Sequence, residues 1–423
     1  MRRVVVTGLG VVSPSAHGVL EFERALREGR SGIRFIPELE ALGFSCRIAG
    51  VPQDFDRTRR QYFRELENKG MNETIAYAAV AAIDAWRDAR LSIREQGEEP
   101  DWDTGTILGC GVGDMSTIAS EVVPAVNAGK VRRLGSRVVE RVMNSGPSAR
   151  VAGILGLGNQ STSNSSACNT GTEAIVEGVW KIRTGRARRI LAGGTEGGSP
   201  YVWSGFDSMR VLAKKFNDRP EEGSRPMSAS AAGFVPGCGA AVLVLEDLLT
   251  ARERGARIYA EILGVGVNCG GQRQGGSMTA PNHAAARRCI RDAVRDAGIS
   301  AGEIDTINGH LSATFADPYE VMNWSLALER PPAKFPYINA TKSMIGHCLG
   351  AAGAMESVAV VLELHKGFVH PSINCEDLHR DLTAFEERIP RECLPLAEMR
   401  IAIKASFGFG DVNSCVVFRK WQE

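Results

Sequence analysis

Hydrophobic positions along the chain fall into two alternating patterns. Short apolar runs, each closing on or near a turn residue, occur at residues 4–6, 106–108, 190–191, 241–245, 304–307, 401–403 and 416–418. Runs of this length, rich in Val and Ile, predict strands. Longer stretches lie between them. In residues 73–90, Ile75, Ala79, Ala82 and Trp86 are spaced by threes and fours, the period of one helix face. Residues 283–298 and 351–365 behave alike. Strands alternating with helices predict an α/β fold with helices covering the sheet faces.

The pattern also repeats on a larger scale. Cys168 opens a helical run that closes at Gly185, and Gly350 opens another that closes at Gly367, each seventeen residues on. Residues 246–255 are charged, and the strand pattern restarts at 256–266. Two related halves are therefore expected, 1–255 carrying Cys168 and 256–423 carrying His310, Lys342 and His347. Residues 92–103, polar with Gly97 and Pro100, read as an exposed connection. Near the N-terminus, Gly8-Leu9-Gly10-Val11-Val12-Ser13 approaches the dinucleotide-binding GxGxxG. Ser13 holds the sixth position, however, and Pro14 follows where a helix should propagate. The segment reads as a strand followed by a tight turn.

Composition narrows the class. A chain of 423 residues suggests two or three domains or one large duplicated unit. With 43% hydrophobic and 23% charged residues it is globular rather than disordered. Basic and acidic residues nearly balance, 50 against 49, which argues against a dedicated nucleic-acid binder. Only ten of the basic residues are lysines, so a lysine inside a chemical motif carries weight. No apolar run reaches the ~18–20 residues of a membrane span, and the opening apolar run is too short for a signal-peptide core. A soluble cytoplasmic protein is expected. The ten cysteines are scattered without a CxxC, so the usual zinc and redox spacings are absent.

Four segments carry chemistry. In Ser165-Ser166-Ala167-Cys168-Asn169-Thr170-Gly171-Thr172, small polar residues lead into a cysteine and then a helix. A thiol at a helix N-terminus meets the positive end of the dipole and unpaired N–H groups. Both favour the nucleophilic thiolate, and the N–H groups can serve an oxyanion; the alternative is a buried structural cysteine. Asn308-Gly309-His310-Leu311-Ser312-Ala313-Thr314 sets a histidine just past a strand end, where α/β folds place ligands. In the glycine- and alanine-rich segment 339–353, Lys342 and His347 lie five apart, with Glu356 in the following helix as a partner for Lys342. Ser406-Phe407-Gly408-Phe409-Gly410-Asp411-Val412-Asn413 puts an aromatic on a turn between two strands, suited to gating a pocket. One cysteine and two histidines combine a nucleophile with two donors to a developing enolate. That set suits decarboxylation of a malonyl thioester followed by attack on an acyl thioester.

Together the four segments resemble the β-ketoacyl-acyl carrier protein synthases of the thiolase superfamily, most like the elongating synthase II type. The likeness runs from Val4-Val5-Val6-Thr7-Gly8-Leu9-Gly10 to Phe407-Gly408-Phe409-Gly410. It implies a thiolase-like duplicated five-layer α/β/α/β/α fold and 3-oxoacyl-carrier-protein synthase activity. Cys168 would take the acyl chain, and His310 and His347 would assist decarboxylation. Lys342 would orient the site with Glu356 in support. The backbone N–H groups of Cys168 and Phe409 would form the oxyanion hole, with Phe409 as gate. No metal or other cofactor is implied, because substrates arrive on the phosphopantetheine arm of acyl carrier protein. The partners implied are that carrier protein and a second subunit, in a homodimer or a heterodimer with another ketosynthase-like chain. Priming synthases use Cys-His-Asn, thiolases a second cysteine in a CxG context, and chain-length factors lack the nucleophile; none fits here.

Three departures stand out. Leu311 replaces a glycine directly after His310, which stiffens and fills that loop. Asp411 puts a carboxylate where the family has a flexible glycine. Ser228, Ala231, Ala232 and Cys238 replace charged residues together, which predicts a charged cluster exchanged for small neutral packing. The first two fall on gating loops and point away from housekeeping fatty-acid elongation towards specialised polyketide or polyene synthesis. A non-elongating scaffold or partner subunit with altered gates is the alternative. Carrier proteins of these pathways are acidic, and three basic clusters are candidate docking points. The first is Lys130, Arg133 and Arg137, with Arg141 continuing a four-residue spacing; the others are Arg59, Arg60 and Arg64, and Lys214 and Lys215.

Overall fold

The computed structural model describes residues 1–65 and 70–422. Ten strands form its central sheet: β1 (Val4–Val12), β2 (Thr104–Cys110), β3 (Ser161–Thr162), β4 (Arg189–Glu196), β5 (Gly239–Asp247), β6 (Ala260–Cys269), β7 (Thr306–Asn308), β8 (Tyr337–Asn339), β9 (Ile401–Gly408) and β10 (Val412–Lys420). Their spatial order is β8-β7-β9-β10-β6-β1-β5-β4-β2-β3. Read outward from the centre, each half has the same topology. In the first, β2 runs parallel to β3 and β4, and β5 lies antiparallel to β4 and β1. In the second, β7 runs parallel to β8 and β9, and β10 lies antiparallel to β9 and β6. The halves meet in one short antiparallel pairing, Val4 to Val6 of β1 against Ile262 to Ala260 of β6.

Helices cover both faces, as buried strands require. Six matter here: α1 (Glu73–Asp88), α2 (Gly146–Leu155), α3 (Thr170–Arg183), α4 (His283–Ala297), α5 (Asp317–Leu328) and α6 (Ala352–Lys366). α1 packs on β1 and β5, and α2 on β2; α4 packs on β6 and β10, with α5 beside it. α3 and α6 touch each other and strands of both halves. They form the middle of five layers, helix, sheet, helices, sheet, helix. This is the thiolase-like architecture.

The middle helices are near-copies in register. Each is preceded by one 3₁₀ turn, Ala167–Asn169 before α3 and Leu349–Ala351 before α6. Ala167 and Leu349 are both left-handed, with φ of 50° and 46°. Gly171 and Gly353 hold the same place on the two helices and let them touch. A Cβ on Gly171 would lie 2.7 Å from the Ala354 nitrogen, and one on Gly353 2.1 Å from Thr172 Oγ1. Cys168 and Gly350 therefore occupy matching positions at the contact between the halves.

One expectation needs closer placement and two need correction. The expected strand and tight turn are present, but Gly8-Leu9-Gly10 lies inside the strand: β1 runs to Val12 and the turn follows at residues 13–16. Gly8 and Gly10 serve close approach instead: Cβ atoms there would lie 2.2 and 1.8 Å from the carbonyl oxygens of Ala85 and Ala81 on α1. Arg133, Arg137 and Arg141 do not share a helix face, since Val131–Arg133 is a 3₁₀ turn and Val138–Val142 a separate short helix. Arg141 is also paired with Glu121. Nor is the charged cluster of 225–238 wholly neutral. Arg225 is buried against Asp377 at 3.0 Å and Glu376 at 3.2 Å. Arg34 faces Cys238 electrostatically, with its Nη1 buried and unpartnered.

Candidate active site

The nucleophile's turn is fixed by its own small polar residues. Thr170 Oγ1 accepts from the Ser166 N–H at 2.9 Å and donates to the Ala167 carbonyl at 2.7 Å. Ser414 on β10 donates to Asn169 Oδ1. Glu196, at the end of β4, accepts the N–H groups of Gly111, Val112 and Gly350 at 2.9, 3.1 and 2.9 Å. One buried carboxylate thus ties the Cys168 half to the His347 half.

His310 lies two residues past β7 and His347 two past the short helix Lys342–Ile345. Cys168 Sγ and a nitrogen from each imidazole lie within 4.8 Å of one another. The rings stand nearly perpendicular, centroids 5.3 Å apart. The Leu349 N–H donates to His347 Nδ1 at 3.1 Å, and Lys342 Nζ lies 3.4 Å from His310 Nδ1. With Nδ1 accepting in both, the hydrogen bonds assign the ring proton of each neutral imidazole to Nε2. Burial, and then the Lys342 charge, push both histidines well below their ordinary value. The site therefore offers two neutral N–H donors beside one sulfur.

Lys342 is fully inside the protein. Its ammonium donates to the His310 carbonyl at 2.6 Å and pairs with Glu356. The His310 loop is held from below by two carboxylates of α5. Glu320 accepts the N–H groups of His310 and Leu311 at 2.6 and 2.8 Å. Asp317 accepts those of Ser312 and Ala313 at 2.9 and 3.0 Å. Burial pushes Glu320 up to about 7 and Asp317 up to about 6. Leu311 is fully buried at φ 25°, so it fills its loop at the cost of backbone strain.

The thiolate expectation at Cys168 fails in the free protein. Burial pushes the thiol up to about 11, outweighing the Lys342 charge and the N–H groups of Phe409 and of Cys168 itself. Both N–H groups interact with the sulfur. Above the sulfur opens a cavity of about 390 Å³ with Phe206, Val211, Phe234 and Phe409 among its walls and Ser312 and Thr314 at one side. Phe409 stands 6.2 Å from Phe206 across it. Asp411, buried at φ 63°, accepts the N–H groups of Gln272 and Asn282 at 3.0 and 2.7 Å. The cysteine and imidazoles could ligate a borderline cation, but the Lys342 ammonium beside His310 opposes one.

The basic clusters stand apart from this chemistry. Arg59 pairs with Asp56 at 3.3 Å. Arg60, Arg64, Lys130, Arg133 and Arg137 are exposed. Lys214 and Lys215 are exposed three and four residues past Val211, which lines the cavity. Sequence reasoning missed Glu196, Asp317, Glu320 and Lys404. Lys404 alone carried a signal: it interrupts the apolar run of β9 in a chain poor in lysine.

Known proteins resemble this chain over its whole length. The model of the β-ketoacyl synthase N-terminal domain matches residues 1–251, and that of the C-terminal domain residues 259–376. A 3-oxoacyl-[acyl-carrier-protein] synthase 2 of Vibrio harveyi is 34% identical, over 100% of this chain and 99% of the relative. The solved ishigamide ketosynthase/chain length factor superposes with a TM-score of 0.88 at 30% identity over 100% of both chains. A type II PKS acyl-carrier protein in complex with its ketosynthase bound to the hexaketide gives 0.87 at 29% identity, over 99% of this chain and 100% of that one.

Proposed function

The chain belongs to the β-ketoacyl synthase family, and from that premise we propose that it condenses an acyl thioester with malonyl-acyl carrier protein by way of Cys168. The observation that carries the reading is the pair of neutral Nε2–H donors beside one sulfur under an apolar cavity.

The reaction divides into two halves. First the Cys168 sulfur attacks the acyl carbonyl. The negative oxygen accepts from the N–H groups of Cys168 and Phe409, and the carrier's thiolate leaves with the proton given up by Cys168. Malonyl-carrier protein then loses carbon dioxide. The electron pair of the broken C–C bond becomes an enolate whose oxygen accepts from Nε2 of His310 and His347. The enolate carbon attacks the thioester on Cys168, a C–C bond forms, and the cysteine sulfur leaves as thiolate. Lys342 and Glu356 hold His310 for this step; Phe409 gates the cavity. No resident metal or cofactor enters the sequence.

The same reading assigns a specialised polyketide or polyene product, supported by Leu311 and Asp411 on the gating loops. Lys214 and Lys215 are the favoured contacts for the carrier protein, because their segment continues from the cavity wall. A dimer is supported by the exposed apolar side chains Val123, Val126, Val131 and Val139 and by the short terminal strand β3. We read the chain as two units, 1–255 and 256–423, in the cytoplasm. No helix among the described residues is long and apolar enough to cross a membrane. Malonyl-carrier protein carrying carbon-13 in its free carboxylate should release labelled carbon dioxide while a 3-oxoacyl-carrier appears, and Cys168→Ala should yield no 3-oxoacyl-carrier. A 3-oxoacyl product from that variant would refute the reading.

A further inference from the structure

A second lysine is buried behind the site, beside Glu356. Among the described residues Lys342 and Lys404 are the only buried lysines, and both ammonium groups face one carboxylate, Glu356. Lys404 Nζ is 2.8 Å from Glu356 Oε2, while Lys342 pairs with Oε1. The Lys404–Glu356 contact is an ion pair without a directed hydrogen bond, and the Lys404 ammonium's hydrogen bonds go to the Ala405 carbonyl and, at 3.0 Å, Ser406 Oγ. Ser406 is hydrogen-bonded at 2.8 Å to Thr172 on α3, the helix that follows Cys168. Lys404 thereby joins the Lys342–Glu356–His310 arm to the nucleophile's helix. A buried ammonium is strongly disfavoured unless paired, and nothing in the packing of a strand requires one.

We propose that Lys404 is a positioning residue for the condensation half-reaction: a second internal cation that anchors Glu356, and through it Lys342 and His310. The inference rests on the reading given above. The charged and titratable groups facing Lys404 are Glu356, Lys342, Glu320, His310, His347 and Cys415. Its charge opposes a proton on either imidazole, and a protonated ring could not accept at Nδ1 as both do here. Remove the charge and protonation becomes easier, so the acid limb of condensation moves to higher pH.

The test separates the half-reactions in Lys404→Ala and in Lys404→Met, which keeps the volume without the charge. Acyl loading of Cys168 should fall far less than condensation, which drops roughly ten- to a hundredfold at unchanged KM for malonyl-carrier protein; a donor in direct contact would cost about 10²–10³. The acid limb should shift upward in both variants. Methylammonium chloride should restore Lys404→Ala, whose emptied space presents the Ala405 carbonyl, Ser406 Oγ and Glu356 Oε2, but not Lys404→Met; sodium chloride at equal concentration should do neither. Native-rate condensation in Lys404→Met, equal losses of loading and condensation, or an unmoved acid limb without rescue would overturn the proposal. Should both variants fail to melt cooperatively, Lys404→Gln, which keeps a polar side chain without the charge, takes their place, and an acid limb equal to the native protein's would overturn the proposal. A native protein that never condenses would strike the underlying reading instead.

Discussion

At the scale of single residues, the reacting groups are set by burial more than by local sequence. Cys168, His310, Lys342 and His347 were legible because each sits in a segment of small residues where a large reactive side chain stands out. Their protonation was not legible. The sequence shows Cys168 ahead of a helix, which favours thiolate, but it does not show the enclosure that raises the thiol to about 11. A thiol held that high is mostly protonated at neutral pH, and each unit of pH below its value removes tenfold of the thiolate. Alkylation of Cys168 by iodoacetamide should therefore keep rising about tenfold per pH unit through pH 9 and level only near 11. A plateau near the ordinary value of about 8.5 would show that the helix end and Lys342 win after all. Lys404 escaped notice because a lone lysine in an apolar run gives no sign of what its ammonium meets across the sheet.

At the scale of elements, strand and helix identities followed from periodicity, and the errors fell where packing decides. Gly8 and Gly10 look like a turn until α1 lies against them; the missing side chains make room for backbone, not for a bend. Arg133, Arg137 and Arg141 keep a helical spacing in a segment broken into short turns. Asp411 was recognised as a departure, though its partners lie some 130–140 residues away in sequence. It ties the Phe409 turn to the 270–282 segment: Gly270 donates to its carbonyl at 2.8 Å, and Gly410 donates to the Met278 carbonyl at 2.8 Å. Thr279, Ala280 and Pro281 of that segment line the cavity, so the gate turn is bonded to the cavity wall. Asp411→Gly strips the buried Asn282 N–H and the partly exposed Gln272 N–H of their acceptor, at a cost of about 1–3 kcal/mol for the buried one, offset by about 1 kcal/mol from relief of the left-handed backbone. Hydrogen exchange at the amides of Gln272 and Asn282 should accelerate by tenfold or more while α3 and α6 stay protected. Unchanged exchange at those two amides would mean that other contacts hold the segment.

At the scale of the whole molecule, two halves of the same topology place their best-matched elements, α3 and α6, back to back. The sequence echo between Cys168–Gly185 and Gly350–Gly367 was visible, because a helix start and a glycine stop recur at one spacing. The strand orders were not, since pairing is fixed by contacts far apart in the chain. The nucleophile comes from one half and both imidazoles from the other, so the site exists only where the halves meet. The central claim is that this shared site loads an acyl group on Cys168 and discharges it only onto a malonyl-derived enolate. Intact mass of the native protein, incubated with acyl-carrier protein and then with malonyl-carrier protein, reads both events. The account predicts an acyl adduct on Cys168, stable to water, that vanishes when malonyl-carrier protein is added, as 3-oxoacyl-carrier protein appears in equal amount. An adduct that hydrolyses without malonyl-carrier protein, or a protein that accepts no acyl group from any donor, would contradict it.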